Sequence, residues 1–126
     1  MKVVVTATGK DLDAQVDPRF GRCQFFIFVD PETLDFEAVP NGASMAPGGA
    51  GIQAAQTVID KGVEAVITGN VGPNAIQALQ AAGVKVFVGA QGTVRESVDL
   101  FKAGKLQEAT SATAPPHGGM GRRRTF

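Results

Sequence analysis

The chain has 126 residues, 44% apolar and 19% charged, with twelve Lys/Arg balancing twelve Asp/Glu. That length holds one modest domain, its single cysteine excludes an internal disulfide framework, and no apolar run approaches the roughly 18 residues of a membrane span. Residues 1–110 hold nine Lys/Arg against all twelve Asp/Glu, with Arg122, Arg123 and Arg124 supplying the balance, so the body lacks the clustered positive face that nucleic acid requires.

Residues 2–7 are β-branched and predict a first strand; 9–20 are polar with one proline and predict a solvated loop carrying Asp11, Asp13 and Asp17. FFIFVD over 25–30 is a second strand, too continuously apolar to be solvated on one face. Asp30-Pro31-Glu32-Thr33 signals a turn, and Leu34, Phe36 and Ala38 predict a third strand over 34–39, closing a hairpin. From Asn41 the pattern changes to alternating helices and strands. Ile52, Ala55, Val58 and Ile59 share one face of a helix over 50–61, stopped by Gly62. A strand at 63–68 leads through Gly72-Pro73, with proline at the first helical position, into a helix over 73–82 whose Ile76 and Leu79 face inward. A strand at 84–88 precedes Thr93-Val94-Arg95-Glu96, a capping box, and a helix over 93–103 with Val94, Val98 and Phe101 inward. The segments Gly62–Gly69 and Gly83–Gly89 repeat this βα pattern. The expected fold is α/β: a five-stranded mixed sheet, three N-terminal strands followed by αβαβα, with its two βα units parallel and right-handed.

Beyond Ala109 the chain reads TSATAPPHGGMGRRRTF, too poor in apolar residues to offset its ordering entropy. The expected division is a folded domain over 1–109 and a disordered Gly/Pro/Arg tail over 110–126. The apolar stretch after Met1 is too short for a signal peptide, so a soluble cytoplasmic protein is expected, without membrane or nucleic-acid partners.

Three glycine-bearing segments precede helices, at 47–51, 69–74 and 89–93. Two of them follow parallel strands, at whose carboxyl ends ligand crevices form and where helix N-termini favour anions. Neither G-x-G-x-x-G after the first strand nor G-x-x-x-x-G-K-[ST] occurs. The sole histidine, His117, lies in the tail, so no catalytic constellation is expected. Cys23 is open to three readings: a buried filler, a nucleophile, or one ligand to a preassembled cluster. Arg19 and Arg22 would favour its thiolate.

Asp17-x-Arg19-Phe20-Gly21-Arg22 before an aromatic strand, Asn41, Ile67-x-Gly69-x-Val71-Gly72-Pro73-x-Ala75, and Phe101-x-x-Gly104-x-Leu106 occur together over residues 1 to about 108. This pattern resembles the dinitrogenase iron–molybdenum cofactor biosynthesis family, which includes NifX and the C-terminal part of NifB. The resemblance implies a ribonuclease H-like three-layer fold. It also implies a non-enzymatic carrier for an anionic iron–sulfur or iron–molybdenum type cluster, with donor and acceptor proteins as partners and a monomer or weak homodimer as the state. The site residues expected on this basis are Arg19, Phe20, Gly21, Arg22, Asn41, Gly49, Gly51, Gly69, Asn70, Gly72 and Gly92. Cys23 is expected on the rim as a metal ligand, and His117, with Met120, as further ligands from the tail. The alternative function is an anion- or nucleotide-binding regulatory module using the same loops; a small hydrolase is disfavoured because catalytic groups are missing.

Overall fold

Alternation of side chains across a strand explains how one short sheet here fills two cores. A computed structural model describes residues 1–43 and 48–112. Strand β1 (Val3–Ala7) is buried at every position. It sends Val4 into one core, shared with Val66 and Val86, and Val3 and Val5 into the other, shared with Ala65 and Ile67. Strand β2 (Phe25–Val29) is divided likewise, with Phe26 and Phe28 on the first side and Ile27 and Val29 on the second.

The remaining elements are β3 (Phe36–Pro40), α1 (Ala50–Asp60), β4 (Ala65–Ile67), α2 (Pro73–Ala81), β5 (Lys85–Val88), α3 (Val94–Lys102) and β6 (Gln107–Glu108). They form one open six-stranded sheet in the order β3-β2-β1-β4-β5-β6. Strand β1 is parallel to β4, and β4 to β5; β2 is antiparallel to both β1 and β3. Helices α1 and α2 cover one face through Ala54, Ala55, Val58, Ile76 and Leu79. Helix α3 covers the other through Val94 and Val98. No helix among the described residues is long and apolar enough to cross a membrane.

The expected elements and the parallel βα units are present, with β4 confined to Ala65–Ile67 of the expected 63–68 and three further differences. A sixth strand, β6, pairs antiparallel with β5; two polar residues carry no period by which to find it. Strand β3 begins two residues later than expected because Leu34 belongs to the turn, at φ 64, with its N–H donating to the Asp30 carbonyl at 2.7 Å. Ile52, expected inward, is 51% exposed: it stands in the first turn of α1, where it lines a surface pocket instead of the core. Gly62, Gly83 and Gly104 follow the three helices in the left-handed conformation, as glycine stops require. Ala109 still donates to Val86 at 2.8 Å, so the chain stays on the sheet that far. The expected tail beyond residue 112 lies outside the described residues.

Candidate anion site at the carboxyl edge of the sheet

The three helices all start at the same edge of the sheet, because β3, β1, β4 and β5 run in one direction. The segment between β1 and β2 is folded back across that edge instead of being solvated. Its Val16 N–H donates to Gly92 O (2.8 Å) and Asp17 N–H to Thr6 O (2.9 Å), while Pro18 O accepts from Asn70 N–H (2.8 Å). The buried Thr6 hydroxyl donates to Asp17 O at 2.6 Å and meets the Thr68 hydroxyl at 2.8 Å. Gly69 lets this crossing pass: a Cβ there would stand 2.7 Å from Pro18 Cα.

The crossing segment determines which helix ends remain open. At α3, Val94 and Arg95 donate to Ala14 and Leu12 carbonyls at 2.9 Å each. The Thr93 hydroxyl and Glu96 carboxylate complete the capping box. With donors engaged and a carboxylate in place, that end has nothing left for an anion. Helices α1 and α2 differ: neither N-cap, Gly49 or Gly72, has a side-chain hydrogen bond, and neither first turn carries an acidic residue. Their N-termini open on one pocket of about 520 Å³, walled by Gly21 and Arg22 and by residues 49–52 and 72–75. Two positive dipole ends and one arginine thus face a common space. Close packing narrows it: a Cβ on Gly21 would lie 3.0 Å from Gly51 Cα and N.

Five of the expected site residues, Gly21, Arg22, Gly49, Gly51 and Gly72, therefore meet at this pocket. The others do not line it. Phe20 is buried in the core. Gly69 and Asn70 hold the crossing segment. Gly92 sits on the α3 side, bordering a separate hollow with Glu96 and Asp99. Arg19, 61% exposed at its side chain, turns to the buried Asp17. Its Nε and Nη2 donate to Asp17 Oδ1 and Oδ2 at 3.1 and 3.2 Å, and this bonding holds the guanidinium above its usual pKa. Asp17 is thus not part of a solvated loop, because its carboxylate also accepts the Arg19 N–H at 3.0 Å.

Cys23 requires the largest correction. It is fully buried, not on the rim, in the same cluster as Phe20 and Phe26. Burial pushes its thiol up to about 12, reinforced by the charge of Asp17. The Asn41 hydrogen bond and the Arg19 charge act the other way and are outweighed. The expected thiolate is thus not the form the fold favours. Asn41 is buried behind the pocket wall and does not line it. Among the described residues no group of three His, Cys, Asp or Glu could hold a metal ion. His117 and Met120 lie outside the described residues. Ala50, Ile52, Pro73, Asn74 and Ala75 also line the pocket and were not among the expected site residues; each occupies the first turn of a helix already expected to begin there.

The family profile of the dinitrogenase iron–molybdenum cofactor proteins matches residues 1–104, and the chain belongs to that family. Among solved structures, the apo form of the orange protein from Desulfovibrio gigas is similar at 46% identity and a TM-score of 0.85, over 89% of this chain and 95% of that one. A Thermotoga protein provisionally described as NifB matches at 43% identity and a TM-score of 0.77, over 89% and 96%. An uncharacterized protein of Methanocaldococcus jannaschii is 31% identical over 97 residues, 75% of this chain and 82% of its own.

Proposed function

We propose that the chain is a cytoplasmic carrier that takes up an anionic metal–sulfur cluster, of iron–sulfur or iron–molybdenum type, from a donor protein. It holds this cargo between Gly21–Arg22 and the starts of α1 and α2 and passes it to an acceptor, without chemistry of its own. The observation that carries the reading is the convergence of two uncapped helix N-termini and Arg22 on one pocket, in a member of this family. Backbone donors and one arginine can offset negative charge but cannot ligate metal, so the cargo brings its own sulfide ligands. His117 and Met120 would add an imidazole and a thioether as further ligands. Retention by shape and dipoles suits release to an acceptor. A ribonuclease H-like assignment of the fold is supported by the order β3-β2-β1-β4-β5 with β2 antiparallel to its neighbours. Nothing in the comparisons favours a nucleotide-binding regulatory module.

The test is anaerobic reconstitution with iron, sulfide and molybdenum, followed by visible absorption and elemental analysis. Gly72 is the position to change, because its φ of −84 suits any residue and a Cβ there meets no atom within 4 Å. Gly72→Phe should keep the melting temperature and lose the bound metal. Unchanged metal stoichiometry in that variant would overturn the site.

A further inference from the structure

Asn41 follows β3 with only 5% of its surface exposed, and both ends of its side chain are engaged. Nδ2 donates to Cys23 O at 2.9 Å and Gly21 O at 3.1 Å, and lies 3.7 Å from Cys23 Sγ. Oδ1 accepts from Ala43 N–H at 3.0 Å, and the Asn41 N–H donates to Gln24 O at 3.0 Å. The two carbonyls it binds flank Arg22. Both carbonyls are therefore committed to a buried side chain that takes no part in lining the pocket. Carbonyl oxygens turned the other way would place negative dipole ends against an anion. The same side chain ties this wall to the segment leading to α1, whose first turn forms the facing wall.

We propose that Asn41 is a positioning residue for anion binding: it turns the Gly21 and Cys23 carbonyls inward, so that the wall they share presents Arg22 to the cargo. This rests on the proposed site. An aspartate would not substitute, since it removes the donor that both carbonyls need.

The experiment is a double-mutant cycle on the affinity for tetrathiomolybdate, a preformed molybdenum–sulfide anion, measured well below each variant's melting temperature. Arg22→Gln should weaken binding. Asn41→Ala should weaken it about tenfold, as loss of an outer-shell partner does elsewhere. The double variant should lose less than the product of the single losses, because both changes disable one wall. A purely structural Asn41 would lower the melting temperature and leave affinity unchanged, or give multiplicative losses; either result overturns the inference while the site stands. Unchanged affinity in both Arg22→Gln and Gly72→Phe overturns the site, and this inference with it. If Asn41→Ala does not fold, the wild-type protein still decides: the Asn41 side-chain NH₂ resonances should shift on saturation with the probe. Resonances that stay in place would overturn the assignment.

Discussion

At Cys23, two arginines within four positions along the chain favour the thiolate, while complete burial favours the thiol. Desolvation is the larger effect because a thiolate in an apolar cluster loses its hydration for little more than one long hydrogen bond from Asn41, at 3.7 Å, and Arg19 is held by Asp17 instead. Nearness in sequence revealed the arginines but not which way their side chains turn, so the chemistry of this residue was illegible before the fold was known. Its consequence for stability has a definite sign. Below the ordinary thiol value of 9.0 the cysteine is neutral in both folded and unfolded chains and contributes no pH dependence. Between 9.0 and about 12 only the unfolded chain releases the proton, so stability falls as pH rises, by at most about 1.4 kcal/mol per pH unit. Urea titrations should show a difference between wild type and Cys23→Ala that is constant below pH 9 and shrinks above it. A constant difference up to pH 11 would contradict the buried-thiol account. At neutral pH the native protein should also react slowly with iodoacetamide, with or without bound cargo.

Among the helices, the glycine segments marked all three N-termini correctly, yet only two remain open. The signal that separates them was present in the sequence: a capping box satisfies its own donors and brings a carboxylate, so Thr93-Val94-Arg95-Glu96 already argued against an anion at α3. What could not be read was the return of the 9–20 segment across the strand ends, since the hydrogen bonds that tie it to Gly92 and Asn70 are made by backbone, which carries no residue signature. Helix α1 packs so closely against Gly21, just past that segment, that side-chain size becomes decisive. At Gly21 an added methyl would press on the backbone of Gly51 at 3.0 Å, which cannot yield without moving α1. At Gly51 it would meet Ala75 Cβ at an ordinary 3.5 Å. Gly21→Ala should therefore cost about 1–3 kcal/mol in urea unfolding, as overpacking does, and weaken cargo binding by displacing the start of α1. Gly51→Ala should be neutral or stabilising, by up to about 1 kcal/mol of helix propensity. Equal effects of the two changes would show that the contact is slack.

For the whole molecule, the strands and helices were legible because burial on both faces of β1 and β2 and on one face of each helix imposes apolar runs and helical periods. The order of strands and the edge strand β6 were not, since pairing partners and two polar residues leave no period to read. Charge is also a property of the entire chain. Removing residues 113–126 leaves nine Lys/Arg against twelve Asp/Glu, so the net charge falls from zero to −3. Among the described residues the core clusters reach no further than Ala109, and truncation after Ala112 should change stability by less than about 0.5 kcal/mol. Binding of an anion should suffer more, through two separable causes. Loss of Arg122, Arg123 and Arg124 acts at long range and should fade at 1 M salt, where the screening length is about 3 Å. Loss of the proposed metal ligands His117 and Met120 would act through bonds and should persist there. Cargo affinity of the truncated chain should accordingly recover only in part at 1 M salt, with the remainder reproduced by replacing His117 and Met120 together with alanine in the full chain. Full recovery at high salt, with the double alanine variant equal to wild type, would remove the imidazole and the thioether from the site and leave the arginines as the tail's whole contribution.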